Sequence, residues 1–365
     1  MTGDDDRLAH DLATEAGQRL LYLRRRSGFG DAAALRAAGD RLSHEFLTAA
    51  LASRRPSDAI LSEEGKDNPA RLAASRVWIL DPLDGTREFG EVGRTDWAVH
   101  VALWQRVDPA TGLGDAPGEP TPWGRGRLAV GAVALPAEGQ TYSTLWAGQA
   151  GAAAGCAAVA GATVEGVSAA EGVSAAGASA AGASAAGASA AGTPAAGAPA
   201  EQRWPSDVRV APSAGDRCSD QIDGGSDQID GGSDQIDAGG KLRLVVSRTR
   251  PPAFVGRLAA EIGAALVPLG SAGAKIISVL SGAADAYVHA GGQYEWDSAA
   301  PVAVVQAAGL HASRIDGRPL AYNQPDPRLP DILVCRFAMA DLLLAAIARA
   351  RAAEDSESAD ETPRR

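Results

Sequence analysis

Two acidic clusters lie far apart in the chain: Asp81-Pro82-Leu83-Asp84-Gly85-Thr86, preceded by Glu63-Glu64-Gly65, and Glu295-Trp296-Asp297-Ser298-Ala299-Ala300. Carboxylates brought to one point beside a hydroxyl can hold a pair of divalent cations and activate a water. Oxygen donors select hard ions, so Mg²⁺ or Mn²⁺ suits them better than Zn²⁺, which calls for His or Cys. Neither residue lies in either cluster. Two ions roughly 3.5–4 Å apart stabilise both the attacking and the leaving oxygen of a phosphoryl displacement. The chemistry indicated is metal-assisted hydrolysis of a phosphate ester. Plainer readings exist, since Asp-Pro-Leu-Asp-Gly is also a turn sequence and Asp297 can cap the helix that follows it. Position favours chemistry, because Asp81 and Asp84 directly follow the apolar strand pattern Val77-Trp78-Ile79-Leu80, and loops at strand ends are where α/β enzymes carry function.

Taken together, Leu61-Ser62-Glu63-Glu64, the run Trp78 to Phe89 and the run Glu295 to Pro301 resemble the inositol monophosphatase superfamily. The Thr86-Arg87-Glu88-Phe89 continuation and the Glu-Trp-Asp opening are most similar to 3'(2'),5'-bisphosphate nucleotidases of the CysQ type. The likeness covers about residues 1–145 and 241–350. It implies a five-layer αβαβα sandwich, an α/β (α+β) fold, with the active site between its halves. It also implies that Glu63, Asp81, the Leu83 carbonyl, Asp84 and Asp297 hold two or three Mg²⁺ ions, with Mn²⁺ as the alternative. Thr86, hydrogen-bonded to an acidic partner, would orient the water, and Asp40 fits as that partner, so the catalytic set is Asp40, Thr86 and Glu63. The residues before Asp40, Ala33 to Ala38, depart from the family's Lys-x-Asp-x-Ser-x-Val-Thr run; a plainer reading of Asp40 is a helix N-cap before Arg41, and the catalytic reading is preferred. Substrate contacts are expected from Gly85, Thr86, Ser247, Arg248, Ser271, Lys275 and Asp297.

Two of those contacts also have a physical reading. The turn Gly270 to Lys275 follows an apolar run and opens a helical pattern, so its backbone amides point out of a helix N-terminus, where an anion is favoured. Arg248 ends the strand Leu242 to Ser247, and a guanidinium binds phosphate oxygens in bidentate fashion.

The elements that must position these residues form two halves. Residues 1–147 read as an α+β half: Leu8, Leu12, Ala16, Leu20 and Leu23 recur at helical spacing, a second helix runs from about Arg41 to Ser53, and strands follow at 59–62, 77–80, 97–103, 128–135 and 141–145. Residues 241–353 alternate strand and helix, with helices near 252–264, 273–281, 297–308 and 337–353 between strands at 242–247, 266–269, 286–289 and 331–335. Between the halves, residues 148–240 carry Gly-Ala-Ser-Ala-Ala repeats and three Ser-Asp-Gln-Ile-Asp units at 219, 226 and 233. Such low-complexity sequence buries little and is expected to be a disordered insertion, as is an acidic tail from 354 to 365.

With 365 residues and a net charge of −11, the chain lacks the basic surface that nucleic acid or an anionic membrane requires. No apolar run approaches the ~18–20 residues of a membrane span. The three cysteines, 156, 218 and 335, form no metal spacing, which with the acidic start suggests reduced thiols and a cytoplasmic location. The expected partner is a small phosphorylated molecule, and the resemblance adds a homodimer. It implies Mg²⁺-dependent removal of the 3'-phosphate of 3'-phosphoadenosine 5'-phosphate to give AMP, extending to the 5'-phosphosulfate analogue, in sulfate assimilation. An inositol-1-phosphate or fructose-1,6-bisphosphate phosphatase is the alternative with the same mechanism. A catalytically silent metal- or nucleotide-binding regulator is the alternative without it.

Overall fold

In the computed structural model, which describes residues 2–107, 126–145 and 241–360, two helices lead into the first sheet. Helix α1 (Thr2–Ser27) carries Asp4 and Asp5 in its first turn and Arg24 to Arg26 in its last, complementing both ends of the helix dipole. Helix α2 (Ala32–Arg54) starts behind Asp31, whose carboxylate accepts the Ala34 N–H at 2.9 Å. The start expected at Arg41 is thus too late, because the alanine-rich run ahead of it is itself a strong helix former. Asp40 is consequently inside the helix and caps nothing.

The first sheet has the order β1 (Ala59–Ser62), β2 (Arg76–Asp84), β3 (Ala98–Arg106), β4 (Gly126–Leu135), β5 (Gln140–Ser143). Only the β1–β2 pair is parallel. A single-turn helix, α3 (Thr86–Phe89), follows β2. The second sheet combines β6 (Arg243–Ser247), β7 (Ala265–Leu269), β8 (Ala286–Tyr294), β9 (His311–Ser313) and β10 (Arg328–Cys335) in the order β7-β6-β8-β10-β9. Its helices are α4 (Val255–Ile262), α5 (Ala272–Leu280), α6 (Glu295–Ala307) and α7 (Ala340–Asp360).

Strand periodicity sorts the apolar residues into three cores. Trp78 and Leu80 join Val99, Val101 and Leu103 against α1 and α2, while Val77 and Ile79 face the other way with Ala98, Ala102 and Trp104, meeting Ile276 of α5 and Val302 of α6. In the second sheet Val245, Tyr287, Ile332 and Val334 face that same central layer, whereas Leu244, Val246, Val288 and Leu333 face α4 and α7. Strands covered on both faces read as unbroken apolar runs, as these do. The layers run αβαβα, as expected.

Several boundaries differ from expectation. Helix α6 begins at Glu295, so Asp297 is its third residue and accepts the Tyr294 N–H at 2.6 Å instead of being the N-cap. Helix α7 continues to Asp360, where a disordered tail was expected from 354, since the Ala- and Glu-rich sequence favours helix. Strand β9 was not anticipated, being too short to carry a periodic signal. The insertion at 148–240, with Cys156 and Cys218, lies outside the described residues; Cys335 is a buried free thiol.

Candidate active site

A slip in register creates the centre of the site. Along β2, Val77 and Ile79 face the central layer, and Asp81 continues that phase opposite His100 of β3. Between Asp81 and Asp84 the pairing shifts, and one irregular step inverts which side chains face which layer. Leu83 accordingly packs into the outer core with α1 and α2, and Asp84 turns back to the central layer beside Asp81. Carboxylate oxygens of Asp81 and Asp84 and a ring nitrogen of His100 all lie within 4.8 Å of one another. Gly85 then turns the chain at φ +83°, where a Cβ would stand 3.1 Å from the Asp96 carbonyl and 3.2 Å from Ser271, so glycine is required on both conformational and steric grounds.

Asp84 is the most heavily bonded residue of the site. It accepts the Ser271 hydroxyl at 2.5 Å, the Gly273 N–H at 2.7 Å and the Ala272 N–H at 3.1 Å. His100 Nε2 stands 3.2 Å from Asp84 Oδ2, at ion-pair range, and its Nδ1 donates to the Trp296 carbonyl at 3.1 Å. Burial alone would raise the pKa of Asp84, but His100, Lys275 and Ser271 outweigh it and bring it down to about 2. Burial lowers and Asp84 raises the pKa of His100, with a net upward shift. These contacts correct an expectation. The N-terminus of α5 does not open its amides to a substrate anion, because Asp84 already occupies them, and Ser271 likewise spends its hydroxyl on Asp84.

The other carboxylates crowd the same point. Burial, then the Asp297 charge, pushes Glu63 up to about 7, with a hydrogen bond to Asp81 opposing the shift. Asp81, wholly buried, is raised well above its ordinary value by burial and then by Glu63. Asp297 rises to about 6 through burial and then Asp84. Against four carboxylates stand His100 and Lys275, whose ammonium donates back to the carbonyls of Gly270 and, at 2.9 Å, of Ser271. Carboxyls that hold protons because they are buried and, after that, because they repel one another are suited to a divalent cation, which relieves the repulsion. The donor set therefore fits hard metal ions. His100 was missed by sequence reading, which found no His in either cluster; only the β2–β3 register brings it in, and its oxygen partners on both nitrogens make it a brace for Asp84.

Thr86 Oγ1 lies 3.0 Å from the Leu83 carbonyl and 3.3 Å from Asp40 Oδ1. Burial, then Glu64, raises the pKa of Asp40 to about 6, with Thr86 opposing. Thr86, Asp84 and Asp297 border a cavity of about 380 Å³ that also meets Gly85, Arg87, Ser247, Arg250, Lys275, Tyr287, His289 and Gln293. Arg248 does not join them. Its guanidinium is bound by Glu88 at 2.7 Å and Glu91 at 2.9 and 3.0 Å, tying β6 to α3, so the cation expected for a second phosphate is already neutralised. Arg250, two residues on, reaches the cavity instead.

Comparison with known proteins follows the same lines. The model of the inositol monophosphatase family matches residues 7–180 and 242–352. A protein of Mycobacterium leprae named 3'-phosphoadenosine 5'-phosphate phosphatase is 40% identical, the match covering 94% of this chain and 93% of the relative. Its namesake in Mycobacterium bovis is also 40% identical, over 92% of this chain and 90% of the relative. Among solved structures, CysQ from Bacteroides thetaiotaomicron, described as a bacterial member of the inositol monophosphatase family, superposes with a TM-score of 0.54 at 22% identity, covering 91% of this chain and 97% of its own. Among the described residues no helix is long and apolar enough to cross a membrane.

Proposed function

Since the chain belongs to the inositol monophosphatase family, we propose that it is a 3'-phosphoadenosine 5'-phosphate phosphatase, releasing the 3'-phosphate to leave AMP. Relatives named for that activity support the choice because they match over nearly the whole chain. One observation carries it further: the cavity that Thr86, Asp84 and Asp297 border also meets Arg87, Arg250 and Lys275. A monophosphate would need no such set beyond the metal site. A second phosphate on the same substrate would, because charge-assisted contacts to guanidinium are the strong ones.

In this reading Glu63, Asp81, the Leu83 carbonyl, Asp84 and Asp297 would hold Mg²⁺. Bound there, the ions would supply positive charge to the dianionic ester and acidity to the attacking water. The chain's own residues set direction. Thr86 has its one proton directed at the Leu83 carbonyl and Asp40, so its lone pairs are left to accept a hydrogen bond from the nucleophilic water. A water held along one line converts orientation into rate. No side chain needs to become phosphorylated. Lys275 is held by two carbonyls of the turn that leads into its helix, those of Gly270 and Ser271, which keeps its charge at a fixed place beside the cavity. The 5'-phosphosulfate analogue presents a similar anion to Arg87 and Arg250 and belongs to the same substrate class, which would make clearance of a sulfate-assimilation by-product the physiological task.

The test is phosphate release with Mg²⁺ from 3'-phosphoadenosine 5'-phosphate, inositol 1-phosphate and fructose 1,6-bisphosphate, compared by kcat/KM. The nucleotide should lead by at least about tenfold, roughly what one charge-assisted contact contributes. Preference for a sugar or inositol phosphate would overturn the substrate, and no release from any would overturn the enzyme.

A further inference from the structure

On the central-layer face of β8, three neighbouring side chains meet the cavity: Tyr287, His289 and Gln293. All three are more than nine-tenths buried, at 0%, 4% and 6% exposure. His289 pairs with Ile332 and Gln293 with Leu329, and both partners belong to the core between the sheets. The Tyr287 and His289 rings stack at 6.3 Å with an interplanar angle of 15°.

Their polar atoms are incompletely partnered. The Gln293 amide donates to the Tyr287 hydroxyl at 2.8 Å, while Gln293 Oε1 and His289 Nδ1 are buried without a hydrogen-bond partner. Turning the amide over changes only which end is satisfied: Tyr287 can engage one end, and the other remains without a protein partner. The imidazole is neutral, because burial and then Lys275 bring His289 down to about 4. A neutral ring offers one donor and one acceptor. Buried polar atoms without partners are costly and rare enough that a ligand is their natural complement. The spare valences are neutral and of both kinds, so they suit a hydroxyl, which donates and accepts, and suit an anion poorly.

The place of this group bears on which hydroxyl it would meet. Gln293 immediately precedes Tyr294, whose N–H is bonded to the Asp297 carboxylate at 2.6 Å, so the open amide lies one residue from the anchor of the acidic cluster. Gln293 and Asp297 border the same cavity, so a phosphate seated at the acidic cluster would bring its neighbouring hydroxyl into the cavity these side chains line.

We propose that Tyr287, His289 and Gln293 form a sugar-hydroxyl subsite that reads the ribose 2'-hydroxyl beside the reacting 3'-phosphate and so discriminates ribonucleotides from deoxyribonucleotides. This rests on the nucleotidase reading above. A site built to bond a hydroxyl rejects the analogue lacking it far more strongly than an apolar pocket rejects an added group, because its own polar atoms are then left unpaired.

The experiment compares kcat/KM for 3'-phosphoadenosine 5'-phosphate and its 2'-deoxy analogue on the wild-type enzyme and on the variants Gln293→Leu and His289→Phe. The wild type should favour the ribonucleotide by at least about tenfold, with the ratio falling towards one in both variants. A wild-type ratio near one overturns the subsite without requiring any variant to fold, and a ratio kept in both variants overturns its assignment to these residues. No release from either nucleotide, with release from inositol 1-phosphate, overturns the nucleotidase reading itself and is thereby distinguished from failure of the subsite alone.

Discussion

Gly273 is where the site has least room, and Gly273→Ala measures how tightly His100 and Asp84 are held. A Cβ at this position would lie 2.1 Å from His100 Nε2, against an ordinary contact of 3.4–4 Å. The ring must retreat by more than about 1 Å, or the first turn of α5 must lift, and either movement disturbs the Gly273 N–H bond to Asp84 at 2.7 Å. Overpacking of a tight core costs about 1–3 kcal/mol, and a hydrogen bond to a charged group is worth about 1.5–3 kcal/mol. Alanine returns up to about 1 kcal/mol of helix propensity. The net expectation is a loss of about 2–4 kcal/mol, which for a domain of this size is roughly 5–15 °C in Tm. Thermal and urea unfolding measure it, and Mg²⁺ affinity by calorimetry should fall in parallel. The decisive comparison is Gly273→Ala in a His100→Ala background, where the ring is gone and the added methyl should cost less than about 1 kcal/mol. Equal losses in both backgrounds, with coupling below about 0.5 kcal/mol, would refute the steric account.

Thr86→Ala should lower kcat by at least about 100-fold while Mg²⁺ and nucleotide affinity stay close to wild type, since orientation of the water is what it removes; unchanged turnover would end the water-orienting role. Glu63 and Asp297 titrate near 7 and 6 in the folded protein against 4.5 and 3.8 ordinarily, so the folded state retains protons that the unfolded chain releases, and stability present at pH 4 is lost as pH rises to about 7. Chelated protein should therefore melt lower at pH 8 than at pH 5.5, and Mg²⁺ should raise Tm more at pH 8; equal Mg²⁺ shifts at both would contradict the crowding of carboxylates described here. Arg250→Ala should raise KM for the bisphosphate about tenfold or more and leave hydrolysis of a nucleoside 3'-monophosphate nearly unaffected; a matching rise for both would remove Arg250 from second-phosphate recognition.

Much of the layered fold was legible because its strands obey one rule. Val77 to Leu80, Leu244 to Val246 and Ile332 to Val334 are buried on both faces, so each reads as a strand from apolarity alone. The helices α1, α5 and α6 likewise announce themselves by spacing. What escaped was set by register and by partners. The start of α2 was hidden because alanine favours helix without marking a boundary. His100 enters the site through its pairing with Asp81, a relation invisible until the two strands are laid side by side. Arg248 and Arg250 are two residues apart at the same strand end, and only the tertiary neighbours Glu88 and Glu91 determine that the first is an internal tie and the second meets the cavity.

The placement of Asp84 explains why the site needs metal charge at all. The helix N-terminus of α5 is the nearest preformed anion site, and in a simpler pocket its amides would receive the phosphate. Here they hold a carboxylate of the protein instead, together with Ser271 and His100. His100 above all, then Lys275 and Ser271, keep Asp84 ionised in a wholly buried place, where burial alone would have protonated it. A carboxylate kept ionised beside Asp81, Glu63 and Asp297 deepens the negative potential that attracts divalent cations. The cost is that the first amides of α5 are not left for the substrate. In the proposed reading, positive charge for the reacting phosphate would come from bound cations, and for the remainder of the substrate from Lys275, Arg87 and Arg250, which line the cavity. Neither half of the fold can build this alone, since the carboxylate belongs to β2 and the amides that hold it belong to α5.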